Sequence, residues 1–166
     1  MPHVDTGASS TIARMRQGHV PAVVQTHLAA FPGFFLTFLG PRFLGLLYGE
    51  AVALGEIAFV AEQDGQVVGF VMGSASPGRF FKTLLKRKPL AFALAAAPAA
   101  LRDPASALRI ARALVKPSEA ARPEGTSTLL SIGVSPSTQG RGVGRCLALA
   151  FLHEAKARGA KRVDLT

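Results

Sequence analysis

Residues 134–145 read VSPSTQGRGVGR, and this stretch decides how the rest of the chain is interpreted. A predicted strand, Thr128–Val134, leads into it, and a predicted helix, Gly142–Arg158, begins within it. The first turn of a helix carries backbone N–H groups without internal partners and the positive end of the helix dipole. Three alternating glycines leave room for a phosphate to approach that backbone. The stretch therefore predicts a phosphate-binding loop between a strand and a helix.

Two common nucleotide-binding loops fit this spacing poorly. A dinucleotide-binding GxGxxG motif needs a different glycine spacing and an acidic residue about twenty positions later. A P-loop ends in Gly-Lys-Ser or Gly-Lys-Thr, and no such ending occurs here. This loop instead begins with Gln139 and places Arg141 and Arg145 beside the glycines. We expect both guanidinium groups to contact a ligand phosphate rather than water alone.

Gln139, Gly142 and Gly144 resemble motif A of the GNAT acetyltransferases, whose pattern is Gln/Arg-x-x-Gly-x-Gly/Ala. The strand ending in Val134-x-Pro136 resembles the family's approach to that loop, and the family's order of elements matches roughly residues 11–166. The resemblance implies an α/β (α+β layered) fold. Its central sheet would be mixed and mostly antiparallel, with one parallel βαβ pair and flanking helices.

The resemblance also implies a reaction, in which acetyl-CoA is the cosubstrate and no metal takes part. The backbone of Ile132, Gly133 and Val134 would pair with the pantetheine arm, and an N–H near Val134 would polarise the thioester carbonyl. A primary amine of a small-molecule acceptor would attack the acetyl carbon after losing its proton to a base or to water. The pyrophosphate would lie on the N–H groups of Gln139, Gly140, Arg141, Gly142, Val143, Gly144 and Arg145.

The catalytic groups depart from the family pattern. The long strand has no glutamate, and Ser131 is its one polar side chain after Thr128. Glu56 and Glu62, which flank a neighbouring predicted strand, are therefore the candidate general bases, with an ordinary strand-end charge as the alternative for each. The one tyrosine, Tyr48, lies in a different element from the family's acid tyrosine. These departures leave open a catalytically deficient domain that binds acyl-CoA without turnover.

The family's later helix and its final antiparallel strands have no counterpart before Thr166. A shortened chain or a sheet completed by a partner chain would each explain this. An uncovered sheet edge favours association with another chain. We therefore expect either a homodimer through the last strand, Lys161–Leu165, or low stability.

The remaining elements follow from the spacing of apolar residues and from turn residues. Helical spacing predicts one helix over Gly18–Phe31 and another from Pro41 onward. A length of 166 residues fits a single domain over residues 1–166. Alternation predicts a strand over Thr11–Arg16 and a hairpin in which Asp64-Gly65 joins Ile57–Glu62 to Val67–Met72.

Residues 78–117 are set apart by their charge. The chain has a net charge of +9, and +8 of it lies here, since nine basic residues accompany one acid, Asp103. Pro89, Pro98 and Pro104 predict two or three short helices separated by proline turns. We interpret the segment as a basic helical insert that is either solvated or faces an anionic acceptor, an acidic carrier protein or an anionic membrane surface. Nucleic acid is not expected, because no aromatic stacking platform accompanies the charge. The basic residues are Arg79, Lys82, Lys86, Arg87, Lys88, Arg102, Arg109, Arg112 and Lys116.

The remaining candidates have simpler interpretations. One cysteine and four scattered histidines predict neither a disulfide nor a metal site, and with no signal-peptide pattern they favour a cytoplasmic protein. We expect Cys146 to be a small buried residue, His153 a surface residue, and His27 a core histidine rather than part of an acceptor site. Five phenylalanines are expected in the core rather than in an acceptor pocket: Phe31, Phe34, Phe35, Phe38 and Phe43.

Overall fold

The central element of the fold is a five-stranded sheet whose strands lie in chain order. We describe it from a computed structural model that covers residues 10–105, 108 and 125–165. Neighbouring strands are antiparallel except β4 and β5, which run parallel. This confirms the predicted mixed, mostly antiparallel sheet. The strands are β1 (Thr11–Arg14), β2 (Ile57–Gln63), β3 (Gln66–Ser74), β4 (Thr126–Val134) and β5 (Arg162–Leu165).

The predicted hairpin joins β2 to β3. Asp64 and Gly65 both have positive φ, 51° and 74°. A two-residue hairpin turn of type I′ requires this conformation, which Asp and Gly tolerate. Gln63 and Gln66 are the last paired residues on either side of the turn. The turn thereby fixes the register of the two central strands.

Helices cover both faces of the sheet. The first face carries the cluster built on α1, α3, α4 and α5, and the second carries α6. Within the part of the chain described, no helix combines the length and apolarity needed to cross a bilayer. The helices are α1 (Val20–Ala30), α2 (Phe35–Leu39), α3 (Pro41–Ala53), α4 (Pro77–Arg87), α5 (Pro89–Arg102) and α6 (Val143–Ala157).

The last strand–helix–strand unit, β4–α6–β5, is the parallel βαβ pair that the sequence predicts. Gly159 follows α6 with a φ of 88°, the left-handed conformation that glycine commonly adopts after the last turn of a helix. The Glu154 carboxylate forms two ion pairs. Its Oε1 lies 2.8 Å from Arg158 Nε and 2.6 Å from a guanidinium nitrogen of Arg14 in β1. These two arginines lower the pKa of the Glu154 carboxyl. β5 forms one edge of the described sheet, and a homodimer through it stays a prediction.

Not all of the five phenylalanines lie in the core. Phe43 is buried and Phe31 and Phe38 are half-buried, but Phe34 and Phe35 are exposed. The prediction was wrong for these two, which follow a turn at Pro32 and Gly33, where Gly33 has a φ of 78°, and lie where α2 begins.

The basic segment differs from its prediction at Pro98, which lies inside α5 instead of ending a helix. Proline in a helix interior removes one N–H and leaves the carbonyl four residues earlier without that partner. That carbonyl belongs to Leu94, which is exposed, so water can satisfy it. Three of the basic residues, Arg109, Arg112 and Lys116, lie outside the described residues.

A buried carboxylate attaches the segment to the sheet domain. Glu50 of α3 is 4% exposed, and its carboxylate lies 3.1 Å from Arg87 Nε and 2.8 Å from Lys88 Nζ. A buried charge needs such partners to offset its desolvation. Two of the nine basic residues therefore have a structural role and are not simply solvated.

Candidate active site

The glycine-rich loop leads from the end of β4 into α6 and leaves backbone N–H groups open. Gly140 and Gly142 have φ of 79° and 80°, which favours glycine, and no atom lies within 4 Å of where a Cβ would be. The N–H of Cys146 donates to the Gly142 carbonyl at 3.1 Å as the first bond of the helix. The N–H groups of residues 143–145 precede that ladder, and no acidic residue lies in the first turn. The loop is therefore an electropositive, accessible cradle for an anion.

Gln139, the first residue of the motif, orders this loop. Its side-chain amide donates to the Val134 carbonyl at 3.2 Å, and the N–H of Ser135 donates to the Val68 carbonyl at 2.8 Å. These two bonds tie the loop to the ends of β4 and β3. Arg141 and Arg145 are exposed beside it, and their contact with phosphate stays a prediction.

The end of β4 has one open edge. β4 pairs with β3 up to Val134, but it pairs with β5 only from Thr126 to Leu129. Among the described residues, Ile132–Val134 are thus hydrogen-bonded to a strand on one side alone. The register with β3 shifts between Met72 and Gly73, which makes Leu130 an extra residue at the point where β4 and β5 part. An extended ligand could add to this edge as a strand does.

A chain of three polar side chains, two of them buried and Ser131 half-buried, reaches β4 from the helices. His27 Nδ1 of α1 lies 2.7 Å from Tyr48 Oη of α3, and Tyr48 Oη donates to Ser131 Oγ of β4 at 3.3 Å. Sequence reasoning placed Tyr48 away from the site, whereas the fold places its hydroxyl on the long strand. The signal was present, since Leu44, Leu47, Tyr48 and Ala51 recur at helical spacing and all are buried.

Burial keeps both ring groups of this chain uncharged. It lowers the pKa of His27 to about 4, and it raises the pKa of Tyr48 well above its usual range, against the effect of the Ser131 hydrogen bond. His27 packs between Phe31 and Phe70 at centroid distances of 4.9 and 5.9 Å. His27 is the core histidine that was predicted, but its Nε2 is buried without a hydrogen-bond partner.

Gly133 lets the aromatic rings of this cluster reach the strand. A Cβ at that position would lie 2.8 Å from the Phe70 ring and 3.0 Å from the Phe31 ring. Ser131 and Gly133 are two residues apart and so face the same side of β4. The polar chain and the two rings therefore meet β4 just before the glycine-rich loop.

The lowered pKa of His27 predicts a pH dependence of stability. Between about pH 4 and 6.5 the unfolded chain binds a proton that the folded chain does not. Stability contributed by neutral His27 is therefore complete above pH 6.5 and is lost as the pH falls towards 4, by on the order of 2 kcal/mol. Urea unfolding at pH 7.0 and 4.5 measures this loss of stability. His27→Asn, whose side chain does not titrate, is the control variant. Equal losses for wild type and variant would contradict the prediction.

The structure does not bring either candidate base to the open edge. Glu56 precedes β2 at the end of the sheet remote from the loop, and burial raises its pKa against the effects of Ser74 and Arg158. Glu62 is paired in register with Val67 of β3 and lies 3.6 Å from His19 Nε2. Since β3 separates β2 from β4, both glutamates lie about 10 Å or more from the open edge. Their role as general base stays a prediction.

The remaining candidates lie away from the loop's open face. Cys146 is a free, buried thiol on α6, and His153 is exposed, as expected for both. Among residues 10–105, 108 and 125–165, no group of three or more His, Cys, Asp or Glu side chains is placed to hold a metal ion.

One family model matches most of the chain. The model of the acetyltransferase (GNAT) family matches residues 21–166. No curated protein sequence matches the chain.

Thirty-seven solved chains match this structure, and three of them illustrate the shared fold. A GNAT family acetyltransferase from Brucella melitensis, solved with acetyl-CoA, has 18% identity and a TM-score of 0.56 over 95% of this chain and 75% of its own. The aminoglycoside N-acetyltransferase AAC(6')-Iy, solved with CoA, has 17% identity and a TM-score of 0.59 over 98% and 80%. The protein SsHAT has 25% identity and a TM-score of 0.62 over 95% and 82%.

Proposed function

The chain belongs to the acetyltransferase (GNAT) family and is an acyltransferase, and from this premise we propose that it transfers an acetyl group from acetyl-CoA to a primary amine of a small-molecule acceptor. One observation carries the proposal: the open edge of β4 runs directly into a glycine-rich loop at the N-terminus of α6. An extended arm that ends in a pyrophosphate matches that sequence of features.

In this proposal the backbone holds the cosubstrate. The pantetheine arm adds to β4 along Ile132, Gly133 and Val134, and the pyrophosphate lies on the N–H groups of residues 139–145. Arg141 and Arg145 add positive charge beside the phosphates, and Val143 buries the start of α6 against the sheet. Acetyl-CoA supplies the activated acetyl group, and no metal is needed for the transfer.

We place the reacting carbonyl beside Ser131 and Gly133. Ser131 then contacts the reacting centre, while Tyr48 and His27 hold its hydroxyl in place from the buried side. The acceptor amine approaches past the half-buried Phe31 and the exposed Phe34. The ring centroids of these two phenylalanines lie 5.5 Å apart. Glu56 and Glu62 remain the proposed bases for the amine proton, acting through water because of their distance.

Ser131→Ala is expected to lower kcat about 100-fold with little change in acetyl-CoA affinity, since it removes a proton-transferring or hydrogen-bonding group at the reacting centre. Tyr48→Phe, which leaves the ring in place, is expected to cost about tenfold by releasing the Ser131 hydroxyl. Steady-state kinetics of thiol release measure both. Ser127→Ala makes the same change on the same strand, four residues away, and should keep kcat within about twofold. An unchanged kcat in Ser131→Ala would contradict the role.

A thiol-release assay with acetyl-CoA and a panel of amines tests the function itself. The proposal predicts free CoA and an equal amount of acetylated amine by mass spectrometry, for at least one small amine. The alternative is a domain that binds acyl-CoA without turnover. It is favoured by the position of both candidate bases away from the open edge of β4. Saturating acetyl-CoA binding without product from any amine would favour that alternative. A cytoplasmic location and a small-molecule acceptor remain proposals.

A further inference from the structure

α5 exposes a stripe of leucines to solvent. Leu90, Leu94 and Leu101 are 77%, 72% and 85% exposed and lie at positions i, i+4 and i+11 of one helix. These spacings place them on one face, because residues four apart, and eleven apart over three turns, are neighbours along a helix surface. The opposite face carries Phe92, Ala95 and Ala99, which are buried in the core. α5 is therefore apolar on both faces, although one of them meets solvent.

An exposed row of large aliphatic side chains is unusual on a water-facing helix. A helix that is apolar all round is normally buried or lies in a low-dielectric medium. The adjoining region adds to the apolar surface, since α2 contacts α5 and its first residue, Phe35, is also exposed. The surface therefore calls for a partner that can accept leucines along the whole length of α5.

The charges around the stripe indicate which partner. The described part of the basic segment holds six basic residues and one acid, Asp103. Two of the six, Arg87 and Lys88, pair with Glu50. A further cation, Arg102, is exposed at the C-terminal end of α5. On α4, Arg79, Lys82 and Lys86 are exposed and recur at i, i+3 and i+7, which gives α4 a basic outer face. Leucines flanked by lysine and arginine on neighbouring helices suit the boundary between lipid headgroups and acyl chains.

We propose that α4 and α5 bind the surface of an anionic lipid bilayer, with the leucine stripe of α5 in the headgroup–acyl boundary and the cations against the headgroups. The distribution of the cations favours a membrane over an acidic protein, because Arg79, Lys82 and Lys86 recur along α4 while Arg102 lies at the far end of α5. The ion pairs of Arg87 and Lys88 with Glu50 hold α4 and α5 on the domain, so the surface is presented as a unit. Acceptor amines on or near a membrane would then be within reach, which rests on the proposed function, whereas the binding itself does not.

Co-sedimentation of the full chain with vesicles tests the proposal. Vesicles of phosphatidylcholine with 30% phosphatidylglycerol are expected to bind the protein, vesicles of phosphatidylcholine alone are not, and 0.5 M NaCl should weaken binding. The triple variant Leu90→Gln, Leu94→Gln, Leu101→Gln should bind at least about tenfold more weakly, since even one leucine that is fully buried in the bilayer contributes about a tenfold factor. Lys82→Glu with Lys86→Glu should also lose about tenfold, and neither change touches the pair with Glu50.

Two exposed leucines on α6 provide the matched control. Leu149 and Leu152 are 51% and 45% exposed and lie on the other face of the sheet, so Leu149→Gln with Leu152→Gln should bind vesicles as wild type does. No binding to the anionic vesicles at low salt would overturn the proposal, as would equal binding by the triple variant. Wild-type dimers that the triple variant abolishes, seen by analytical ultracentrifugation, would identify the stripe as a contact between copies and would also overturn it. Acetyl-CoA binding by each variant checks that it is folded.

Discussion

Replacing Gly142 by Asp is expected to weaken acetyl-CoA binding by at least about 100-fold, because the new carboxylate would face the pyrophosphate. Two like charges about 4 Å apart repel by roughly 4 kcal/mol at the effective dielectric constant of a protein surface. A loss of 100-fold needs only about 2.7 kcal/mol. No protein atom lies within 4 Å of the Cβ position at residue 142, so the new side chain would not clash with the protein. It would instead occupy the volume proposed for the pyrophosphate. Isothermal titration calorimetry measures the affinity directly.

Gly142→Asn separates charge from backbone strain. Gly142 has φ 80° and ψ 0°, a left-handed conformation that both Asn and Asp tolerate better than other side chains do. The two variants are nearly equal in size, so they differ mainly by one negative charge. Asn is expected to lose less than about tenfold in affinity. Without bound ligand, the Asp variant should be no less stable than the Asn variant, since the helix dipole favours a carboxylate at the N-terminus of α6. Equal losses in both variants would mean that the backbone conformation, and not phosphate binding, explains the effect.

Gly73→Ala is expected to destabilise the fold by about 3 kcal/mol or more, because among the described glycines a Cβ at this position meets the closest neighbouring atoms. A Cβ at residue 73 would overlap the Thr128 carbonyl oxygen of β4 and lie 2.6 and 2.7 Å from ring atoms of Phe151. Phe151 is fully buried on α6, so its ring has no free space to move into. The alternative is to separate β3 from β4 at the register shift. Either adjustment uses a large part of the 5–15 kcal/mol that usually holds a domain folded.

Gly45→Ala is the matched control for this substitution. Gly45 lies inside α3, and no atom lies within 4 Å of its Cβ position. Alanine there should stabilise the protein by about 0.5–1 kcal/mol, because it restricts the unfolded chain and favours the helix. Urea denaturation of both variants gives the two free energies of unfolding. A cost below about 1 kcal/mol for Gly73→Ala would show that β3, β4 and α6 do not pack as described.

The loop and the sheet could be predicted because their signals are local. Gly140, Gly142 and Gly144 follow a strand and open a helix, and Asp64-Gly65 between two alternating segments specifies a hairpin turn. Each of these features depends on residues that are close in sequence.

The missed features depend on contacts between residues that are far apart in sequence. Tyr48 and Ser131 are 83 positions apart, and only the packing of α3 on the sheet brings their hydroxyls together. Glu50 gives no sign in the sequence that it pairs with Arg87 and Lys88. Pro98 was expected to break a helix, yet the exposed position of the freed carbonyl allows α5 to continue. Sequence patterns indicate which face of an element is buried, but they do not identify the element that covers it.

Hydrogen–deuterium exchange with and without acetyl-CoA tests the central claim most directly, because that claim concerns backbone N–H groups. The account predicts slower exchange of amides in residues 132–134 and 139–145 when acetyl-CoA is saturating, with little change in β1 or β2. It also predicts that Gly142→Asp abolishes this protection at the same ligand concentration. Unchanged exchange in both stretches at saturation, or protection confined to other parts of the chain, would contradict binding at the open edge of β4 and the N-terminus of α6.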